Sequence, residues 1–246
     1  MSPKSWLRGF HTAPEPASRP VQLVCFPHAG GSAGYFVPLS AQLSGVSQVL
    51  AVQYPGRQDR WREPAVDNLD ELAEQIVAAL RPARNGGPLA LFGHSMGALV
   101  AYEVARRLAP ARLYVSGCPA PSRGVEATKG IKDDAGLLAD LRRLNGTDAG
   151  LLADPEMLEL ILPALRADYH AVRTYQWQPG SEPRCPVRVL TGSHDTRTPP
   201  HVVADWRRHT TGECHFHEYE GGHFYLTEQT GRVADLLAAD LAQGVH

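Results

Sequence analysis

The sequence has little cysteine: Cys25, Cys118, Cys185 and Cys214 are the only four in 246 residues. They are far apart and show no C-x-x-C spacing, which argues against a zinc site or a redox pair. They read as small hydrophobes in a reducing compartment, the cytoplasm. There is no charge excess either, since Lys+Arg 24 against Asp+Glu 26 leaves a net −2. That removes the bulk attraction expected of a nucleic-acid binder. No apolar run approaches the roughly 18 residues needed to span a bilayer. Met1–Pro20 carries bases but no apolar central stretch, so it does not look like a signal peptide. Internal repeats and low-complexity tracts are also missing. What is present is 43% hydrophobic and 20% charged residues with 23 Gly and 20 Pro. This is enough for one sizeable core, and it disfavours a disordered chain, a coiled coil or a collagen-like repeat.

Pro3, Pro14, Pro16 and Pro20 make residues 1–20 a flexible arm in this reading. From Val21 onward, short apolar runs alternate with amphipathic stretches. The runs 21–26, 49–54, 89–92, 112–116, 187–191 and 215–219 read as strands. Leu69, Leu72, Ala73, Ile76, Val77 and Leu80 recur at helical spacing, with Asn68 as the cap and Glu71 three residues on. Residues 96–108 and 227–241 also read as helices. Alternation of this kind predicts an α/β fold, with a mostly parallel central sheet and helices on both faces. Ligands bind such sheets at the carboxyl ends of the strands. One stretch, 118–186, breaks the alternation. Leu137, Leu138, Leu141 and Leu144 form one stripe, and a second helix begins at Asp154-Pro155, with Pro163 as an expected kink. We expect a helical lid insertion there, within a single domain spanning 21–246; a small structural subdomain is the plainer alternative.

Two segments match G-x-S-x-G: Gly93-His94-Ser95-Met96-Gly97 and Gly30-Gly31-Ser32-Ala33-Gly34. A nucleophile elbow needs a strand running straight into a tight turn and then a helix. Only Ser95 has that context. Ser32 lies several residues past its strand, in a glycine loop. In α/β-hydrolases, one oxyanion donor is the amide after the nucleophile, here Met96. The other comes from a loop after an earlier strand, a place occupied by Pro27-His28-Ala29-Gly30-Gly31. We therefore expect Ala29 to supply the second amide.

A serine hydroxyl needs a histidine base, and the histidine needs a carboxylate to orient it. The chain order in this fold is Ser, then acid, then His. Of eleven histidines, only His223 sits in a glycine-rich loop after the last strand, Gly221-Gly222-His223-Phe224. His94 is expected to point into the fold. His215 and His217 alternate along a strand, where packing or exposure is the ordinary role of such a pair. Asp195, in Gly192-Ser193-His194-Asp195, follows its strand directly and is the candidate acid. Asp205, Glu218 and Glu220 are weaker candidates, and His194 is a neighbour that invites misassignment.

Together these residues carry a family resemblance. The chain resembles the type II thioesterases that accompany polyketide and nonribosomal peptide synthases, from about Val21 to Leu241. The resemblance rests on Phe26-Pro27-His28-Ala29-Gly30-Gly31-Ser32-Ala33, Gln53-Tyr54-Pro55-Gly56-Arg57, Gly93-His94-Ser95-Met96-Gly97-Ala98, and the segments at 192–195 and 221–224. The Y-P-G-R segment distinguishes it from generic esterases. The resemblance implies the α/β-hydrolase fold and an editing role, in which acyl groups are hydrolysed from the phosphopantetheine arm of acyl or peptidyl carrier proteins. Chain release in fatty-acid synthesis is a related option. The implied triad is Ser95, Asp195 and His223, with oxyanion donors Ala29 and Met96. No metal or other cofactor is called for, because the substrate itself carries 4′-phosphopantetheine. A cytoplasmic monomer is expected.

The lid should enclose an apolar acyl chamber, for which Met96, Leu137, Leu138, Leu141, Leu162 and Tyr169 are candidates. The carrier is expected to be acidic. Arg57, Arg60 and Arg62 form one basic cluster and Arg142 with Arg143 another, and either serves as a candidate docking surface. A carboxylesterase or lipase of the same fold, an acyltransferase and a non-catalytic carrier-binding module are the competing readings.

Overall fold

The computed structural model describes residues 6–11, 20–124, 128, 130–131, 133–144 and 154–243. Among the described residues, seven strands form one sheet in the order β1-β3-β2-β4-β5-β6-β7. They are β1 Leu7–Arg8, β2 Gln22–Phe26, β3 Gln48–Val52, β4 Leu89–His94, β5 Arg112–Ser116, β6 Val187–Gly192 and β7 Cys214–Tyr219. All neighbours pair in parallel except β1, which lies antiparallel on β3.

The helices are α1 Val37–Leu43, α2 Leu69–Leu80, α3 Met96–Leu108, α4 Asp134–Leu144, α5 Pro155–Thr174, α6 Pro200–Val203, α7 Tyr225–Glu228 and α8 Thr230–Ala242. Side chains alternate across a strand, so a strand buried on both faces feeds two cores. Val24 and Phe26 of β2 join α2 and α3 on one face. Leu23 and Cys25 join α1 and α8 on the other. α2 begins as its sequence suggests, with the Asn68 side chain accepting from Glu71 N at 3.0 Å.

The reading of residues 1–20 as a loose arm needs correction for residues 6–11. Trp6 is buried in the main core, and its ring is covered by the Arg60 guanidinium at 4.2 Å. Gln53 N also donates to the Trp6 carbonyl at 2.8 Å. One large aromatic is enough to fix this segment, although the prolines around it suggest otherwise.

Between Ser116 and Val187 the described residues contain no strand. α5 continues on both sides of Pro163. The segment is not a free-standing cap, however. Cys118, Ala120, Ala171, Val172 and Cys185 belong to the main core. A separate small cluster of Leu137, Leu141, Leu165 and Tyr169 holds α4 and α5 together. Among the described residues no helix is long and apolar enough to cross a membrane.

Candidate active site

β4 delivers Ser95 to the carboxyl edge of the sheet. Its backbone takes φ 55° and ψ −121°, a conformation a non-glycine residue adopts only when its surroundings impose it. The flanking glycines show how tight the turn is. A Cβ on Gly93 would collide with the Gly97 carbonyl, and one on Gly97 with the carbonyls of Phe26 and Pro27. Ser95 N donates to the Ser116 carbonyl at 2.8 Å, which ties the turn to the end of β5.

The acid and the histidine arrive on two loops that are stitched together. Ser193 N donates to the Tyr219 carbonyl at 2.8 Å and His194 N to the Gly221 carbonyl at 2.9 Å. The Asp195 carboxylate accepts from Thr198 Oγ1 at 2.8 Å and from Arg197 N at 2.9 Å. Burial alone would raise its pKa. These bonds and the His223 contact outweigh burial and hold it below the ordinary carboxylate value. An ionised Asp195 therefore accepts from His223 Nδ1 at 2.8 Å. That fixes the tautomer and leaves Nε2 free to accept from Ser95 Oγ at 3.0 Å. The structure thus brings Ser95, His223 and Asp195 into one unbroken relay.

The competing residues lie elsewhere. His194 is exposed and faces Glu220 at 3.4 Å. Asp205 pairs with Arg123. His215 is exposed beside Glu213 at 3.1 Å, and Glu218 is also exposed. His94 is fully buried, with Nδ1 2.9 Å from Ser116 Oγ, which in turn lies 2.6 Å from the Tyr225 hydroxyl. Burial, and after it the nearness of His223 and His28, holds His94 well below the ordinary histidine pKa. His28 is held down to about 3 chiefly by burial, then by His223 and Arg57.

A narrow cavity of ≈ 20 Å³, room for about one water-sized molecule, opens at Ser95. Ala29, Met96, Gly117, Cys118 and Tyr169 are among its lining residues. Of the chamber candidates, Met96 and Tyr169 reach this cavity. Leu137, Leu138, Leu141 and Leu162 do not: they pack α4 against α5. Two amphipathic helices must first bury their own apolar stripes, which uses up the leucines. Leu137 and Tyr169 also border a larger open cleft of ≈ 460 Å³ between the α4 and α5 helices and Asp67.

The first basic cluster is not a docking surface as a whole. Arg60 is buried and bonds Glu63 and the Gln53 carbonyl. Arg57 is also buried and pairs with Asp168 at 2.7 and 2.8 Å. The Y-P-G-R turn folds these two inward, and only Arg62 remains exposed, stacked over Trp61. Arg142 is exposed, while Arg143 binds Asp140 at 2.7 Å. Asp140 also accepts from Tyr169 at 2.7 Å and pairs with Arg197, so α4 and α5 are tied to the loop that carries Asp195. The Arg57–Asp168 pair is not readable from the sequence, because 111 positions separate its members.

Comparison with known proteins gives a consistent result. A thioesterase domain family model matches residues 21–241. Thioesterase PikA5 of Streptomyces venezuelae is 50% identical, over 94% of this chain and 83% of its own length. Thioesterase TesA of Mycobacterium marinum is 38% identical, over 90% and 91%. Among solved structures, the type II thioesterase BorB from the borrelidin biosynthetic cluster superposes with a TM-score of 0.87 at 43% identity, covering 96% of this chain and 98% of that one.

Proposed function

The chain belongs to the thioesterase family, and from that premise we propose that it is an editing hydrolase of polyketide or nonribosomal peptide synthesis. Its substrates are acyl groups held as thioesters on the phosphopantetheine arm of carrier proteins, in the cytoplasm. The observation that carries this reading is the Ser95–His223–Asp195 relay opening onto a cavity walled by Ala29 and Met96.

The steps follow from that geometry. Ser95 Oγ attacks the thioester carbonyl carbon while His223 Nε2 takes its proton. The tetrahedral oxyanion is held by the Ala29 and Met96 amides, each worth about 3 kcal/mol when well aimed. The C–S bond breaks, and the imidazolium returns the proton to the departing pantetheine sulfur. Water then attacks the acyl-serine, His223 takes a proton from it, and a free carboxylic acid leaves as Ser95 is regenerated. Asp195 stays ionised throughout and steadies the imidazolium. Side chains and backbone amides supply all of this chemistry. Met96 and Tyr169 meet the acyl group nearest the serine.

The test is mass spectrometry of a panel of acyl carrier proteins with the native enzyme and with Ser95→Ala. Conversion of acyl-carrier to free pantetheinyl carrier plus acid by the native enzyme alone supports the reading. Faster hydrolysis of matched oxygen esters, or transfer of the acyl group to an added alcohol or amine, would replace it with an esterase or acyltransferase reading.

A further inference from the structure

The Q-Y-P-G-R segment and the lid meet on one loop, residues 27–33, and the contacts are almost all polar. Tyr54 OH donates to the Pro27 carbonyl at 3.2 Å. Ala33 N donates to Gln53 Oε1 at 3.1 Å. Arg57 Nη1 reaches the Gly31 carbonyl at 3.3 Å and Asp168 Oδ2 at 2.7 Å, while its Nη2 reaches Asp168 Oδ1 at 2.8 Å. Asp168 Oδ2 also accepts from Gly30 N at 2.7 Å. Asp168 belongs to α5, one residue before Tyr169 of the cavity wall, and Leu165 of the same helix lies against Gly30. Gly30 and Gly31, directly after Ala29, are thus held by a buried ion pair, half of which comes from the lid, while Tyr54 holds Pro27 on the other side. The Arg57 and Asp168 side chains are 8% and 1% exposed.

A buried ion pair adds little net stability over a well-packed apolar pair, whereas its geometry is demanding. Its value here is positional. We propose that Arg57 and Asp168 are positioning residues, a clamp that sets the Ala29 amide in the oxyanion site and makes that setting depend on a docked α5. This rests on the reading of Ala29 as an oxyanion donor. If α5 moves away, Gly30 N–H and the Arg57 fork lose their shared acceptor together. The loop then loses its shape, and turnover requires the lid in place.

The experiment compares wild type, Asp168→Asn and the apolar double variant Arg57→Met/Asp168→Leu. The double variant leaves no buried charge unpaired, so it is expected to fold with a Tm within about 5 °C of wild type. Three quantities are measured: kcat and KM on an acyl N-acetylcysteamine thioester, inhibition by the matching acyl trifluoromethyl ketone, and binding of the matching non-reactive thioether. The ketone forms a tetrahedral oxyanion on Ser95, and the thioether does not. A misplaced donor lowers kcat by roughly 10–100-fold. KM and thioether affinity should stay within about threefold, and ketone affinity should weaken in step with kcat. A folded double variant with wild-type kcat and ketone affinity overturns the clamp, as does a lowered Tm with unchanged kcat per folded molecule. If wild type itself binds the ketone no tighter than the thioether, the oxyanion reading fails and the clamp falls with it. Strong ketone preference in wild type, retained in both variants, overturns the clamp alone.

Discussion

Two segments of this chain share the pattern G-x-S-x-G, and the fold uses them differently. At 93–97 the strand β4 runs into the turn without a spacer, α3 begins at Met96, and Ser95 is forced to φ 55°. At 30–34 several loop residues intervene after β2, and Ser32 is extended at φ −128° and ψ 170° before a short 3-10 turn. The pattern is local, but a nucleophile is made by what flanks it. The elbow also touches the chain that leads into the second segment. The missing side chain at Gly97 is what lets the end of β2 and the start of the other loop press against the elbow.

This contrast can be broken or sharpened by experiment. Ser95→Ala should lower kcat by on the order of 10⁶-fold on a carrier-bound acyl group, read by single-turnover mass spectrometry. Activity surviving near wild type would shift the nucleophile to the other segment. Asp195→Asn should cost about 10⁴-fold with an unchanged circular dichroism spectrum, because it removes the carboxylate that fixes the His223 tautomer. Gly97→Ala should depress turnover by about 100-fold and lower Tm, since backbone on both loops must move apart. A stable, active Gly97→Ala protein would show that the loops do not constrain each other.

Acid should act on the same junction. The His28 ring packs beneath Gly31 of its own loop and is held down to about 3 in the folded protein by burial, against about 6.5 when unfolded. The unfolded chain binds the extra proton first, so stability is complete above about pH 6.5 and is lost as pH falls toward 3. At pH 5 the loss from His28 is ~2 kcal/mol, and His94 acts in the same direction. Denaturant unfolding at pH 7 and pH 5 measures it, and a flat profile would mean the loop opens to let water reach the ring. The smallest effect is expected at Ser32→Ala, with kcat within about twofold of wild type by steady-state assay.

Much of this arrangement was legible in the chain. Continuous apolar runs marked β2, β4, β5 and β6, because a parallel sheet covered on both faces needs them. Once those runs were placed, Ser95, Asp195 and His223 stood out as the polar residues just beyond strand ends. Other features were hidden for physical reasons. A two-residue strand carries no periodicity, so β1 is not legible in the sequence, and Pro3, Pro14, Pro16 and Pro20 point to a loose arm. Arginine composition says surface, and nothing local in Arg57 or Arg60 reveals that a turn folds them inward. The stripe of Leu137, Leu138 and Leu141 was visible, but periodicity gives a face and not what the face meets.

The two sheet margins solve one problem in unlike ways. At the far margin, β7 carries His215, His217 and Glu218, and such polar side chains discourage a foreign strand from adding on. At the near margin, β1 pairs with Ala51 and Val52 and covers that end of the outer rim of β3, a rim that could otherwise template a foreign strand. Trp6, wedged into the core under Arg60, keeps that short cover in place. An expression tag fused closely to this end, or a truncation past residue 8, therefore strips protection from a strand that can recruit its own copies. Loss of soluble yield should precede any loss of catalytic competence, and the remedy is a longer spacer before the tag.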